Sequence, residues 1–278
     1  MTAMTVRRSA SPSLWVGLGL VGMVVVTALV SFLWTPHDPT LVDAAQRLRG
    51  PSGDNLFGTD KFGRDLASQL MVGARTTLFV GVVAVGVAAL VGTPLGVFAA
   101  MAPRWLGELV MRVNDLVLAF PALLLAIVFG AVFGADTFTA MIAIGIATVP
   151  SFARIARSGT LGVLNTEYVL AARSAGRSRT AIAVRHVLPN IGGLVIVQSS
   201  VSFAIAVLSE AALSFLGFGT RPPTPSWGRM LQESQELLAV EPRLALVPGA
   251  AIALAVLGFN LLGDGLRDRY DPRLEVRR

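Results

Sequence analysis

Residues 76–101 read TTLFVGVVAVGVAALVGTPLGVFAAM, 26 positions in a row without a charge. As a helix this run is about 39 Å long at 1.5 Å per residue, enough to cross a hydrocarbon core of roughly 30 Å. Five further stretches read the same way. Leu14–Trp34 is charge-free over 21 residues, Leu116–Ala135 gives 20, Thr137–Ala153 gives 17 and Leu244–Gly263 gives 20. Ile191–Ser209 is uncharged and continues apolar past Glu210 to Phe218. The spacing predicts an all-α bundle of six membrane spans.

Composition requires the same solvent. Of 278 residues 54% are hydrophobic and 14% charged, with mean hydropathy +0.68. A soluble domain carries roughly 25% charged residues, so this chain has too little hydrated surface to cover a globule of its size. The net charge of +6 does not indicate nucleic acid, because the basic residues sit in short segments between spans and form no stripe. With no cysteine there is no disulfide, thiol chemistry or cysteine-ligated metal. Lys61 is the sole lysine among 23 basic residues, a bias that points toward a bacterial source.

The first span follows Arg7 and Arg8, as a signal peptide would, but its apolar run is longer than a signal core and no small-x-small cleavage site follows. It is read as retained, with Phe32, Leu33 and Trp34 at an interface. Placing the N-terminus in the cytoplasm leaves fifteen basic residues in segments 1–13, 102–112, 151–190 and 264–278, against eight in 35–75 and 217–243. The positive-inside rule therefore puts both termini inside. The expected organisation is a cytoplasmic tail 1–13, a first helix 14–34, an extracytoplasmic segment 35–75, a five-helix membrane domain 76–263 and a cytoplasmic tail 264–278. Pro94, Pro121 and Pro150 fall within spans and are read as packing kinks. Glycines 81, 86, 92 and 96 permit close helix contact.

The loop 151–190 is too polar to insert and too patterned to be a spacer. Asn165 or Thr166 is placed to cap a helix with Glu167 in its first turn. An Ala-rich run then reaches Gly176, suited to a left-handed stop. Ser178 caps a second short helix, and Pro189 marks the start of the next span.

Ala171-Ala172, Gly176 and Leu188-Pro189, at these spacings, resemble the coupling-loop motif of ABC importer permeases, Glu-Ala-Ala-x3-Gly-x9-Ile-x-Leu-Pro. Leu170 stands where the motif has Glu, and His186 where it has Ile. The run from Glu167-Tyr168 through Arg173 and Arg185-His186 to Asn190 is similar to the dipeptide/oligopeptide/nickel branch. Phe57-Gly58-Thr59-Asp60 with Gly63-Arg64-Asp65, Glu210-Ala211-Ala212-Leu213-Ser214-Phe215-Leu216-Gly217-Phe218-Gly219, and Phe259-Asn260 through Asp271-Pro272 resemble segments of its C-type subunit. The resemblance implies a type I importer permease with a cytoplasmic coupling-helix loop, in the inner membrane of a bacterium. Its implied partners are a sister permease, two cytoplasmic ATPases and an extracytoplasmic binding protein that delivers peptides. Nickel chelates, glutathione and haem stay open as cargo.

The sequence holds no Gly-x4-Gly-Lys-[Ser/Thr] phosphate loop, so ATP and its Mg are expected on the partner chains, with no cofactor and no catalytic residue here. Glu167, Ala171, Ala172, Arg173, Gly176, Arg185, Leu188 and Pro189 are the expected ATPase-coupling residues. Small side chains permit close backbone approach, and the arginines either pair with acidic groups or only enforce topology. Glu210 is the one acid set within an otherwise apolar span. About 28 Å along its helix, it falls near the outer interface, and the reading is open between a gate or path wall and a packing acid. Asp115 is read as interfacial. Thr59 or Asp60 is expected to cap a helix, and His37 and His186 lie on opposite sides, so no metal site is expected. The proline-rich stretch 221–228 is read as a stiff outer loop, and the reading is open between a plain connection and a docking site for a binding protein. An ion-driven secondary transporter is the alternative, though it would be expected to carry more intramembrane acids and inverted repeats.

Overall fold

The computed structural model describes residues 12–270, which fold as ten helices with no β-strand among them. Five are long and apolar enough to cross a membrane: α1 (Pro12–Leu33), α2 (Leu66–Met101), α5 (Thr137–Leu164), α8 (Leu188–Phe215) and α10 (Arg243–Tyr270). A sixth apolar stretch is a bent pair, α3 (Arg104–Ala119) and α4 (Ala122–Phe133), which meet at 83° and reach the length of a span only together. The short helices α6 (Glu167–Ser174) and α7 (Arg179–Ile182) lie at one end of the bundle, and α9 (Trp227–Ser234) at the other. A π-helical turn, Ala183–Val187, joins α7 to α8. Arg7, Arg8 and the Asp271-Pro272 end of the third motif lie outside the described residues.

The expected third span, Leu116–Ala135, is therefore corrected. Leu116–Ala119 belongs to α3, the chain breaks at Phe120–Pro121, and α4 is only 12 residues long. Proline disfavours the helical region for the residue before it. Phe120 accordingly sits at φ −86°, ψ 128°, extended backbone that turns the chain rather than kinking it. Pro94 and Pro150, by contrast, lie within continuous helices.

The centre of the bundle is the α2–α5 pair. Gly92 and Gly96 of α2 face Phe152, Ala153 and Ala156 of α5 with no room for a Cβ, so the backbones approach closely, as the small residues anticipated. Val80, Ala84 and Ala88 pack there with Ala140, Ala143, Ile144 and Phe152, and Ala206 and Leu213 of α8 close the cluster. At the rim, Gly17 of α1 lies against Leu261 and Leu262 of α10.

α2 begins ten residues before its charge-free run, and this first stretch belongs to a polar cap with segments 35–65 and 217–243. Asp65, not Thr59 or Asp60, caps α2, its carboxylate accepting from the Ser68 N–H at 2.8 Å. Thr59 instead accepts from the Arg49 N–H and donates to the Gln46 carbonyl. Asp60 accepts from the N–H groups of Phe62 and Arg64, the Arg64 side chain and Gln69. Arg64 bridges Asp60 and Glu233 of α9. Burial alone would disfavour its cation, but the two carboxylates outweigh that and hold its pKa above the ordinary value.

Candidate functional site

At the end of the bundle where α5 stops, α6 turns across and is seated through one stripe. Val169, Ile182, Val187 and Ile191 are buried with Leu164, Ala156 and Val97. The opposite surface is left open. Glu167, Ala171, Arg173, Gly176, Arg185, Leu188 and Pro189 are exposed and Ala172 is half-buried, so the residues singled out by the motif are left largely outside the packed core.

Its bend is fixed by backbone hydrogen bonds. The Gly176 N–H donates to Arg173 O and the Arg177 N–H to Ala172 O, the paired bonds of a Schellman stop. Gly176 has φ +74°, a conformation that costs an L side chain roughly 1–2 kcal/mol. The hydroxyl of Ser178 then accepts from the Ala181 N–H and restarts the helix, and Pro189 lies in the first turn of α8, both as expected. Thr166 occupies the N-cap of α6, but its hydroxyl donates back to Val163 O and does not cap. The ring of His186 lies 5.9 Å from that of Tyr168, bracing the π-helical turn against α6. Arg179 reaches across to the Met101 carbonyl at 3.3 Å, tying the loop to the end of α2.

Glu210 is elsewhere and differently set. Only 1% exposed, it is buried inside the chain. Its Oε1 accepts from Ser214 at 2.7 Å and from Thr220 at 3.3 Å. The Ser214 hydroxyl in turn accepts the Thr220 N–H, and Thr137 at the start of α5 donates to Thr220. Glu210 thus ties three elements: the end of α8, the outer loop and the α4–α5 turn.

Two features escaped the sequence reading. The segment after Pro225 is a helix, with Ser226 capping α9 and the buried Trp227 indole donating to Leu70 O. Proline density had marked only the loop before it. Asp115 pairs with Arg154 of α5, Oδ1 to Nη2 at 2.6 Å, across 39 residues of chain that no local pattern connects.

Comparison with known proteins places this arrangement. A family profile described as the binding-protein-dependent transport system inner membrane component matches residues 92–276. The chain is 41% identical over 263 residues to the dipeptide transport system permease protein DppC of Alkalihalophilus pseudofirmus, covering 93% of this chain and 86% of that one. It is 38% identical over 259 residues to the glutathione transport system permease protein GsiD of Pectobacterium atrosepticum, covering 91% and 86%. Among solved structures, a chain of the inward-facing MetNI methionine ABC transporter superposes with TM-score 0.62 at 15% identity, covering 73% of this chain and 96% of that chain, a likeness of fold.

Proposed function

Because the chain belongs to the family of inner-membrane components of binding-protein-dependent transport systems, we propose that it forms, with a sister permease, the path by which peptides enter a bacterial cell. The observation that carries the substrate class is the 41% identity, across 93% of the chain, to a dipeptide permease. The glutathione permeases fit the same class, since glutathione is itself a short peptide. An extracytoplasmic binding protein delivers the solute. Two partner ATPases, holding ATP and Mg, supply the energy.

The exposed α6–Gly176–α7 elbow is the part of this chain suited to receive that energy. It is short, fixed at its bend by the Gly176 stop and the Ser178 cap, and anchored in the bundle through Val169 and Ile182. An ATPase groove that closes on Ala171 and Ala172 moves the elbow as a body and drags α5 and α8, which is alternating access by rigid-body motion. No residue in this chain makes or breaks a covalent bond in the scheme. Both termini and the elbow lie in the cytoplasm, and the cap built on Arg64 and Glu210 lies outside.

The test is uptake of labelled dipeptide by the complete complex reconstituted into liposomes. Uptake is expected to require ATP and the binding protein and to survive a proton or sodium ionophore. ATP-independent uptake abolished by the ionophore would instead establish the ion-driven alternative. Reporters inserted near Gly176 should be cytoplasmic, and those near Asn55 or Gln232 external. Displacement of label by nickel chelate or haem, but not by peptide, would reassign the cargo.

A further inference from the structure

Two separate lengths put the corner between α3 and α4 at one depth. Asp136 caps α5, and Arg154 lies 17 residues beyond Thr137, about 26 Å along that helix and close to the far edge of a hydrocarbon core of roughly 30 Å. α4 covers about 18 Å in its 12 residues, and the two extended residues at the break, Phe120 and Pro121, bring the path to about 25 Å. Asp115 of α3 meets Arg154 there, each side chain half-exposed. α3 leaves this corner at 83° to α4. It therefore runs almost parallel to the membrane plane, at the edge of the core on the side of the coupling elbow.

The side chains of α3 divide into three sectors at about 100° per residue. Gly107, Met111 and Asn114, within about 60°, are buried, and Gly107 lies against the Ala99 backbone of α2 with no room for a Cβ. Arg104, Glu108, Arg112 and Asp115 fill roughly the next 80° and are exposed. Trp105, Leu109, Val113 and Leu116 fill roughly the 80° after that and are exposed too. One sector packs on the bundle, one carries charge and one is apolar with nothing in this chain to cover it. At the edge of the core that combination fits a lipid surface, whose boundary offers acyl chains on one side and hydrated headgroups on the other. Arg112 has no ion pair among the described residues and stands at the border of the two exposed sectors, where a long side chain lays its stem on apolar ground and its guanidinium among headgroups. Trp105 is of the type enriched at that boundary.

We propose that α3 is an interfacial helix, lying flat in the leaflet on the elbow side with Trp105, Leu109, Val113 and Leu116 among acyl chains and its charged sector at the headgroups. A helix floated in this way is held at one depth. Gly107 against Ala99 ties it to the inner end of α2, and Asp115 with Arg154 ties it to α5, which leads into the elbow. α3 thus sets the level of the two central helices against which the elbow is pushed.

The absence of cysteine from this chain supplies the test. Leu109→Cys, Leu116→Cys and Glu108→Cys are each spin-labelled in the complete complex, with any cysteine of the partner chains replaced by serine, in phosphatidylcholine–phosphatidylglycerol vesicles. Depth is read from collision with oxygen, which concentrates among acyl chains, against a water-soluble nickel complex. The labels at 109 and 116 are expected about 5–10 Å below the headgroups. They should agree within about 3 Å, the rise of two residues, and the label at 108 should meet nickel more often than either. A difference of about 10 Å between 109 and 116, the rise of seven residues, would make α3 part of a transverse span and overturn the proposal. Labels at both positions that neither reagent reaches would show that another subunit covers the sector, and labels bathed in nickel would show that it never enters lipid; either outcome also overturns it. The unsubstituted complex gives a second measurement. A photoactivatable phospholipid should mark Trp105, Leu109, Val113 and Leu116, located by mass spectrometry. Marking of exposed Val26 on α1 with none on α3 would overturn the lipid contact without any variant.

Discussion

The chain makes the same helix stop twice, at opposite ends of the bundle, and puts the two to different uses. At Gly176 (φ +74°) and at Gly217 (φ +86°) a left-handed glycine follows the last turn, with one N–H bonded to the third carbonyl back and the next N–H to the fifth. After Gly176 the chain runs out into exposed residues, and nothing lies within 4 Å of where a Cβ would stand. After Gly217 it folds back: Thr220 reaches Glu210 and Ser214, and Gln232 of α9 stands 3.3 Å from a Cβ at 217. One stop presents a surface and the other closes a joint. Identical local chemistry acquires its role from what the chain downstream can pack against.

That contrast is broken most forcefully at the closed end. Arg64→Ala takes the cation from Asp60 and leaves Glu233 with Arg229 alone, and is expected to cost about 3 kcal/mol, as when one partner of a buried ion pair is removed. A fall in the unfolding midpoint of the purified protein measures it; an unchanged midpoint would mean the cap is not integral to the fold. Glu210→Ala strands the buried Ser214 and Thr220 hydroxyls and should cost about 2 kcal/mol. Glu210→Gln keeps an acceptor oxygen toward both hydroxyls and should lose less than half of that. Reversal of this order would show that the charge, and not the hydrogen-bonded joint, is what the cap needs.

Valine at either glycine tests the comparison directly. Each incurs the same left-handed strain, roughly 1–2 kcal/mol. Gly176→Val should insert normally, lose the partner ATPases on co-purification through a tag on this chain, and fail to transport. Gly217→Val should keep the ATPases, lower the midpoint further through Gln232, and disturb only the outer cap. Matching ATPase recovery from the two variants would remove the distinction and the coupling role with it. The smallest effect on stability is expected at the open surface. Arg173→Ala, fully outside the packed stripe, should change the midpoint by less than about 0.5 kcal/mol while weakening ATPase recovery.

The open end was more legible in sequence than the closed one. Gly176, Ser178 and Pro189 carry their structural meaning in their own backbone preferences, so position along the chain was enough to read the elbow. At the closed end Asp65 caps α2 where Thr59 or Asp60 was expected, because all three offer a suitable oxygen and only the fold says which meets a free N–H. α2 begins at Leu66, though Ser68, Gln69 and Arg75 made that stretch read as loop. Its polar groups are satisfied by distant partners: Gln69 by Asp60, and Arg75 by Ser31 and the face of Phe32. α9 went unread because its short amphipathic pattern was masked by the prolines ahead of it.

Hydropathy alone determined that the chain is a membrane bundle, and nearly where its spans lie, since transferring some twenty apolar side chains into lipid outweighs any local preference. Short-range backbone chemistry determined the elbow at Gly176. Only the tertiary structure decided that the third crossing is broken at Phe120–Pro121, that Asp115 meets Arg154, and that Glu210 points into a joint and not onto a surface. Window composition is the same for a straight span and a bent pair. The direction a buried charge faces depends on hydroxyls and cations contributed from tens of residues away, and nothing in its own neighbourhood of sequence encodes where those will stand.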